Sequence, residues 1–258
     1  MTNPACQSPD RSAAPLAPEQ LEALCRLDGC SVANAIEAFH GRLRNEGFMD
    51  SSVRCLFDRL PPTVGYAVTI KIRGSAPPTA GQPYADRTDW WDYVLSVPAP
   101  RMVVVVDVAT RTGLGSFLGA VHINILRALD CVGAATNGSV RDLPAVQALG
   151  FQVFARSLSV SHAYVHIIEV GQPVEVGGLR VHSGDLLHGD LHGVQTIPLA
   201  MALEIPELAA RISQRDQAVL SLCRSRDFSL DRLRATLSER VDTNFPTASY
   251  RGGDPRFP

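Results

Sequence analysis

The stretch around residues 103–143 constrains the fold most, because its pattern predicts one strand-helix-strand unit. A β-branched apolar run, Val103–Val106, predicts a buried strand, and a glycine-rich turn at Gly113 and Gly115 follows it. An amphipathic helix is expected to begin near residues 117–119 and a second strand to span Cys131–Thr136. The helix carries apolar residues at helical spacing, namely Leu118, Val121, Ile125 and Leu129. A strand, a glycine loop and a helix N-terminus together predict an anion-binding site.

The rest of the chain predicts one α/β domain with extensions at both ends. Residues 1–18 and 244–258 are expected to be a flexible arm and a flexible tail, residues 19–200 the main domain, and residues 201–243 a helical extension. Alternating residues predict a strand over Thr63–Arg73, and Phe151–Ala155 predicts another. Ser31, Asp89 and Ser229 are the expected helix caps. Trp90 and Trp91 are expected to pack on the sheet, with a pocket wall as the less favoured alternative.

Composition excludes several classes of function. The net charge is -2 and no dense basic patch is present, which argues against a nucleic-acid partner. No apolar run approaches the roughly 20 residues that span a bilayer, so a membrane partner is not expected and the predicted location is cytoplasmic. The six cysteines form no Cys-x-x-Cys pair, which favours buried free thiols over disulfides or zinc ligands.

Two sequence motifs carry a resemblance to a known family. The run Asn-Gly-Ser-Val-Arg-Asp at residues 137–142, expected to form a turn, follows the second strand, and Ala-Leu-Gly-Phe-Gln-Val-Phe-Ala follows at residues 148–155. With the glycine before the helix, this pattern resembles the RraA-like family over roughly residues 34–198. That family includes class II pyruvate aldolases and a regulator of an RNA-degrading enzyme. The resemblance implies an αββα sandwich of the swivelling β/β/α type, assembled as a homotrimer or homohexamer with active sites between subunits.

The resemblance also implies a site for cleaving a 2-oxo acid to a pyruvate enolate. Asp142 matches the family's ligand for Mg²⁺ or Mn²⁺, and Arg141 matches the residue that pairs with the oxo and carboxylate oxygens of the substrate. The backbone from Gly119 through Ala120 and Val121 to His122 matches the loop that binds the same anion. A simple ion pair at a turn is the alternative role for Arg141 and Asp142.

Two alanines depart from the family pattern. Ala120 and Ala145 stand where aldolase members carry acidic residues, so a metal anchor and a proton donor are missing. Histidine is the candidate replacement, with His122 as the candidate catalytic residue. Five more histidines follow, at His162, His166, His182, His188 and His192. The pair at 162 and 166 would share a face in either a helix or a strand and could bind a metal, whereas Asp185 and Asp190 are expected to be structural turn residues.

The favoured function is a divalent-metal-dependent carbon-carbon lyase of the pyruvate aldolase or 2-oxo acid decarboxylase type, altered in substrate or reaction by the two alanines. Its substrate would be a small 2-oxo acid or a related carbonyl or carboxylate compound. A non-catalytic regulatory binding protein of the RraA type is one alternative. A metal-enolate isomerase or rearrangement enzyme of biosynthetic metabolism is the other.

Overall fold

The computed structural model describes residues 14–39, 42–79 and 88–238. Within these ranges, nine strands form the main sheet in the order β1-β6-β5-β3-β2-β10-β11, with β4 beside β5 and β7 beside β2. A separate hairpin joins β8 and β9. The strands are β1 Arg54–Cys55, β2 Thr63–Arg73, β3 Arg101–Asp107, β4 Ser116–Leu118, β5 Cys131–Val140, β6 Gln152–Leu158, β7 His166–Val170, β8 Val174–Val176, β9 Leu179–Val181, β10 Leu186–Asp190 and β11 Gly193–Ile197.

The centre of the sheet is parallel. Strand β2 pairs with β3, β3 with β5, and β5 with β6, all in parallel, while the pairs that β1, β7, β10 and β11 make are antiparallel. The carboxyl ends of the four parallel strands therefore meet at one edge, which is where open α/β sheets gather ligands. The fold class is the predicted mixed α/β class.

Seven helices and one 3-10 helix accompany the strands in the described ranges. The helices are α1 Pro18–Cys25, α2 Gly29–Ala38, α3 Asp89–Ser96, α4 Ala120–Ala128, α5 Leu143–Ala148, α6 Ile205–Arg224 and α7 Leu230–Ser238, and the 3-10 helix spans Leu199–Met201. None of these helices is both long and apolar enough to cross a membrane.

Alternate residues of β3 show how the layers form. Val103 and Val105 are fully buried in the cluster that also holds buried side chains of α1 to α6, whereas Met102 and Val104 are fully buried against the β8–β9 hairpin. Because successive strand residues face opposite sides, one strand buries apolar side chains in both layers. Hairpin, sheet and helices thus form the β/β/α layering that the resemblance implies.

The predicted strands and helices are largely confirmed, with differences at their ends. Strand β2 has the predicted bounds, and Ser229 caps α7 by accepting a hydrogen bond from the Arg232 N–H at 3.3 Å. The expected cap Ser31 is wrong: Asp28 caps α2 and accepts from the Ser31 N–H at 2.9 Å. The expected cap Asp89 is also wrong, because it is the first residue of α3, after Thr88.

The central helix begins later than predicted and buries a different face. Leu118 belongs to β4, and α4 begins at Ala120 and buries Ile123 and Leu126, while Val121 is exposed. Pairing of Leu118 with Val140 of β5 holds that residue in a strand, so tertiary contacts override the apolar helical spacing. The second strand is longer than expected, since residues 137–140 lie in β5 rather than in a turn.

The five cysteines within the described ranges are free but not uniformly buried. Cys131 is buried, whereas Cys30 and Cys223 are exposed, which corrects the expectation of buried thiols. Of the two tryptophans, Trp90 is buried, as expected for packing on the sheet, and lies 5.8 Å from the ring of Phe117. The predicted flexible arm and tail lie mostly outside the described residues.

Candidate active site

The candidate site lies where β4 and β5 end side by side. The Arg141 N–H donates a hydrogen bond to the Leu118 carbonyl at 3.0 Å, so the residue after β5 is fixed beside the residue before Gly119. Gly119 is the N-cap of α4. The three predicted parts of the site, namely the helix N-terminus, Arg141 and Asp142, are therefore brought together at the carboxyl edge of the parallel sheet.

Gly119 is required by a close approach rather than by its backbone angles. A Cβ atom at this position would lie 2.9 Å from Asp142 Oδ2, 3.1 Å from Arg141 Cγ and 3.3 Å from Arg141 Nε. Real Cβ atoms tolerate such distances poorly, so any side chain here would push Arg141 and Asp142 away. The glycine lets both side chains pack directly against the start of α4.

Asp142 places one carboxylate oxygen on the helix and leaves the other available. Its Oδ2 accepts a hydrogen bond from the Ala120 N–H at 3.1 Å. Among the residues that the structure describes, Oδ1 accepts none, and the side chain is 39% exposed. The backbone is left-handed, with φ 61° and ψ 35°, and Asp142 is also the N-cap of α5. Such a conformation is uncommon outside glycine and Asn or Asp residues, and it turns the carboxylate toward Gly119.

Arg141 is held from two sides. Its Nε lies 3.4 Å from Asp142 Oδ2, and its NH1 lies 3.4 Å from Nδ1 of His162. Nε itself is buried and has no aligned hydrogen-bond acceptor among the described residues. The remaining guanidinium N–H groups keep the planar arrangement that binds carboxylates in a bidentate manner.

His122 is a neutral imidazole at ordinary pH. Burial lowers the pKa of His122 to about 4, with smaller contributions from His162, when that ring is protonated, and from the Arg141 guanidinium. Its ring stacks on Phe117, with 5.2 Å between the ring centroids, and Phe117 in turn packs on Trp90. A neutral imidazole can donate one hydrogen bond, but it carries no proton to deliver as an imidazolium.

The sequence motif at residues 137–142 fixes the two strands that flank the site. The Asn137 side chain accepts a hydrogen bond from the Asp107 N–H at 2.7 Å and donates one to the Asp107 carbonyl at 3.1 Å. The buried Asp107 carboxylate then accepts hydrogen bonds from the N–H groups of Ala109 and Gly113, each at 3.0 Å. Asn137, a residue of β5, thus fixes the backbone at the end of β3, and Asp107 in turn holds the glycine loop.

The donor set fits a hard cation that keeps most of its water. Mg²⁺ and Mn²⁺ prefer oxygen ligands, and Mg²⁺ is often held by only one or two carboxylates, so Oδ1 of Asp142 can serve. Ala145 is exposed on α5 and Ala120 begins α4, and neither supplies a second carboxylate. No group of three His, Cys, Asp or Glu side chains able to hold a metal occurs within the described ranges.

The remaining histidines are spread over the structure. His162 lies in a turn and His166 begins β7, so they do not form the proposed pair on one helix or one strand. His166 Nδ1 contacts the Tyr164 carbonyl at 2.8 Å, and His188 Nε2 contacts the Leu27 carbonyl at 2.9 Å. Burial lowers the pKa of His188. The contact of His162 with Arg141 was not predicted, because the sequence gives no spacing rule for a turn that crosses the sheet edge.

Asp185 and Asp190 stabilise local structure. Asp185 Oδ2 accepts from the His182 N–H at 2.8 Å. Asp190 Oδ2 accepts from the Gly29 N–H at 2.7 Å and lies 3.1 Å from Nδ1 of His192, while its Oδ1 accepts from the His192 N–H at 2.9 Å. These contacts agree with the expected structural role.

Comparison with known sequences places the chain in a family. The sequence profile of the RraA-like family, described as aldolase/RraA, matches residues 30–195. A Halalkalibacterium halodurans protein, assigned provisionally as a 4-hydroxy-4-methyl-2-oxoglutarate aldolase, is 28% identical over 46% of this chain and 57% of its own length. An uncharacterized Methanocaldococcus jannaschii protein is 31% identical over 34% of this chain and 42% of its own. The chain thus spans about half the length of these curated relatives.

Solved structures share the fold. An uncharacterized protein from Pseudomonas syringae pv. tomato has a TM-score of 0.67 at 20% identity, covering 86% of this chain and 96% of that protein. A Streptomyces coelicolor protein, described as an unusual member of the RNase ES inhibitor RraA protein family, has a TM-score of 0.62 at 21% identity, covering 80% and 97%. At these identities the likeness supports the fold alone.

Proposed function

Because the chain belongs to the RraA-like (aldolase/RraA) family, we propose that it is a carbon-carbon lyase of the pyruvate aldolase or 2-oxo acid decarboxylase type. One observation carries the proposal: Arg141, Asp142 and the N-terminus of α4 converge at Gly119, where no side chain intervenes. A turn ion pair alone would not need this packing against a helix N-terminus. The proposed substrate is a small 2-oxo acid or a related carbonyl or carboxylate compound.

The residues of the site suit the charge that such a reaction develops. The first N–H groups of an α-helix have no carbonyl one turn earlier in the same helix, and at the start of α4 the Ala120 N–H already donates to the Asp142 carboxylate, so this N-terminus suits an anion. Arg141 would bind the oxo and carboxylate oxygens of the substrate and orient them. Asp142 would hold Mg²⁺ or Mn²⁺ through Oδ1, and the bound cation would supply Lewis-acid stabilisation of the enolate oxygen.

His122 is the proposed catalytic residue beside this anion site. With a pKa of about 4, its imidazole stays neutral during turnover and would stabilise developing negative charge by donating a hydrogen bond. It would not replace the missing acid at position 120 as a proton donor. We therefore propose that the reaction or its substrate differs from that of aldolases with an acidic residue there.

Binding of metal and oxalate tests the proposal, because oxalate is a planar mimic of the pyruvate enolate. Wild-type protein should bind Mg²⁺ or Mn²⁺ and then oxalate in isothermal titration. Asp142→Asn should lose the metal, whereas Arg141→Lys should keep it and bind oxalate about 10-fold more weakly or worse, because a point charge cannot replace the bidentate guanidinium. Asp185→Asn is the matched control and should bind both ligands normally.

Absence of both binding events in the wild-type protein would contradict the lyase proposal. The second candidate function, an RraA-type regulatory protein, would then be favoured. The observation that supports it is the pair of alanines at 120 and 145. Metal and oxalate binding without release of pyruvate from 2-oxo acids would instead favour an isomerase or rearrangement reaction at the same site.

We also propose that neighbouring subunits complete the site. Val121 is 72% exposed, Val160 96% and Tyr164 58%, and all three lie within two residues of His122 or His162. Apolar side chains exposed beside a site are typical of a protein contact. The protein should elute as a trimer or hexamer in size-exclusion chromatography with light scattering, and Val121→Asp should shift it toward monomer. A stable wild-type monomer at micromolar concentration would contradict this proposal.

A further inference from the structure

We propose that His162 is a positioning residue, whose Nδ1 accepts a hydrogen bond from Arg141 and so orients the guanidinium toward the substrate anion. This inference rests on the proposed function of Arg141. The two side chains come from different loops, one after β5 and one after β6, and Nδ1 lies 3.4 Å from NH1 of Arg141. An arginine side chain only donates hydrogen bonds, so the Nδ1 atom must carry a lone pair and Nε2 the proton.

The loop that carries His162 is fixed to the glycine turn at the site. The Ser116 N–H donates to the Ser161 carbonyl at 2.9 Å, and the Ser159 hydroxyl donates to the Leu114 carbonyl at 3.0 Å. A Cβ atom on Gly115 would overlap the His162 carbonyl oxygen, so only glycine allows this approach. The backbone of His162 is therefore held in register with β4, the strand that leads into Gly119.

The loop also contains one strained residue next to His162. Ala163 has φ 46°, in the left-handed region that residues with a Cβ rarely adopt. The Ala163 N–H donates to the Ser161 hydroxyl at 2.9 Å, and the Val165 N–H donates to the His162 carbonyl at 3.1 Å. A tight turn of this kind places the His162 side chain over the sheet edge, where Arg141 lies.

A neutral acceptor is the appropriate partner for an arginine that must bind an anion. A carboxylate at position 162 would orient the guanidinium but would also neutralise it and compete with the substrate. A neutral imidazole orients the group and leaves its positive charge to the ligand. Asp142 already supplies one negative charge near Nε, at 3.4 Å, so a second would cancel the attraction that the site exerts.

Four variants test the inference by oxalate titration in saturating Mg²⁺. His162→Ala should weaken oxalate binding by about 10-fold without changing Mg²⁺ affinity, since a hydrogen bond to a charged group is lost. His162→Asn, whose side-chain oxygen can take the place of Nδ1, should recover most of the affinity. His162→Asp should bind oxalate more weakly than His162→Ala. His166→Ala, which changes a histidine outside the site, is the control and should match wild type.

The tautomer of His162 gives a second readout that needs no ligand. Nitrogen chemical shifts of the labelled imidazole should show Nδ1 unprotonated in wild type and a mixture of tautomers in Arg141→Ala. A wild-type mixture, or equal oxalate binding by His162→Ala and wild type, would overturn the inference and leave the proposed function standing if Arg141→Lys still binds oxalate weakly. If the wild type shows the Nε2–H tautomer but binds no oxalate, the side-chain pairing stands, and the orienting role fails together with the proposed function.

Discussion

Asp190 and Asp142 each accept a hydrogen bond from the first N–H group of a helix, and they differ in how many of their carboxylate oxygens are occupied. Asp190 accepts from the Gly29 N–H at α2, and Asp142 accepts from the Ala120 N–H at α4. Both carboxylates lie against a glycine. The side chain of Asp190 is 4% exposed, whereas that of Asp142 is 39% exposed.

The partners of the two carboxylates explain the difference. Both oxygens of Asp190 are occupied, by backbone N–H groups and by the His192 ring. Asp142 has one occupied oxygen, one available oxygen and a neighbouring arginine whose charge it neutralises only in part. A satisfied, buried carboxylate stabilises the fold, whereas a half-satisfied, accessible one can bind a ligand. The same local arrangement therefore serves structure in one place and a site in the other.

Matched glycine substitutions separate the two roles and should give the largest effect. A Cβ on Gly29 would lie 2.7 Å from Asp190 Oδ1, inside a buried network that cannot move. Gly29→Ala should lower the free energy of unfolding by about 3 kcal/mol, because the clash also disturbs the hydrogen bonds of a buried carboxylate. Gly119→Ala should cost less than about 1 kcal/mol, since Arg141 and Asp142 can swing outward, but should weaken oxalate binding by about 10-fold or more.

Urea denaturation and oxalate titration of both variants measure this contrast. Gly113→Ala is unsuitable as a control, because Gly113 has φ 75°. Equal destabilisation by Gly29→Ala and Gly119→Ala would mean that the Asp142 region is as rigid as the Asp190 region. In that case the distinction between a structural and a ligand-binding carboxylate would be lost.

The pH dependence of stability should sharpen the comparison from the histidine side. The pKa of His122 is about 4 in the folded protein and near 6.5 in an unfolded chain, so between these values the unfolded state binds more protons. Stability should therefore fall as the pH drops from about 6.5 to about 4. The loss should be about 2 kcal/mol for His122, allowing for its partial exposure to solvent.

Buried His188 has a pKa shifted in the same direction and adds to this loss. Denaturation midpoints of wild type and His122→Asn between pH 4 and pH 7, measured with EDTA present, check the assignment. The variant should lose less stability on acidification than wild type, with the His188 contribution retained. Parallel pH profiles would show that His122 protonates freely in the folded state and is not the neutral donor proposed.

The same comparison shows which parts of the molecule could be predicted from sequence. Strand β3 is a continuous β-branched run and was predicted correctly. Arg141 and Asp142 follow the second strand, as their motif predicts, while their role in a site stays a prediction. The predicted start of α4 was wrong because Leu118 pairs with β5 and is therefore held in a strand. The His162 contact depends on a left-handed Ala163 and on the missing side chain of Gly115, which act across distant segments and leave no periodic pattern. Local sequence propensity therefore predicts helices and strands, whereas close contacts between distant loops determine where the side chains of the site lie.

The smallest expected effect concerns Ala120, whose N–H joins Asp142 to α4. A carboxylate at this position could hold a water for proton transfer to the enolate, which neutral His122 cannot supply as an acid. Ala120→Glu should raise pyruvate formation from a 2-oxo acid by up to about 10-fold, within the range expected for an outer carboxylate beside a metal site. Ala145→Glu is the matched comparison, since it adds a carboxylate that can anchor the hydrated cation but lies on α5, away from this N–H. A gain in rate with Ala120→Glu, and a gain only in metal affinity with Ala145→Glu, would assign the two vacant positions separate roles. If neither variant gains activity while both still fold and bind metal, the site stabilises an enolate for a reaction that needs no added proton donor, and the lyase assignment gives way to the rearrangement alternative.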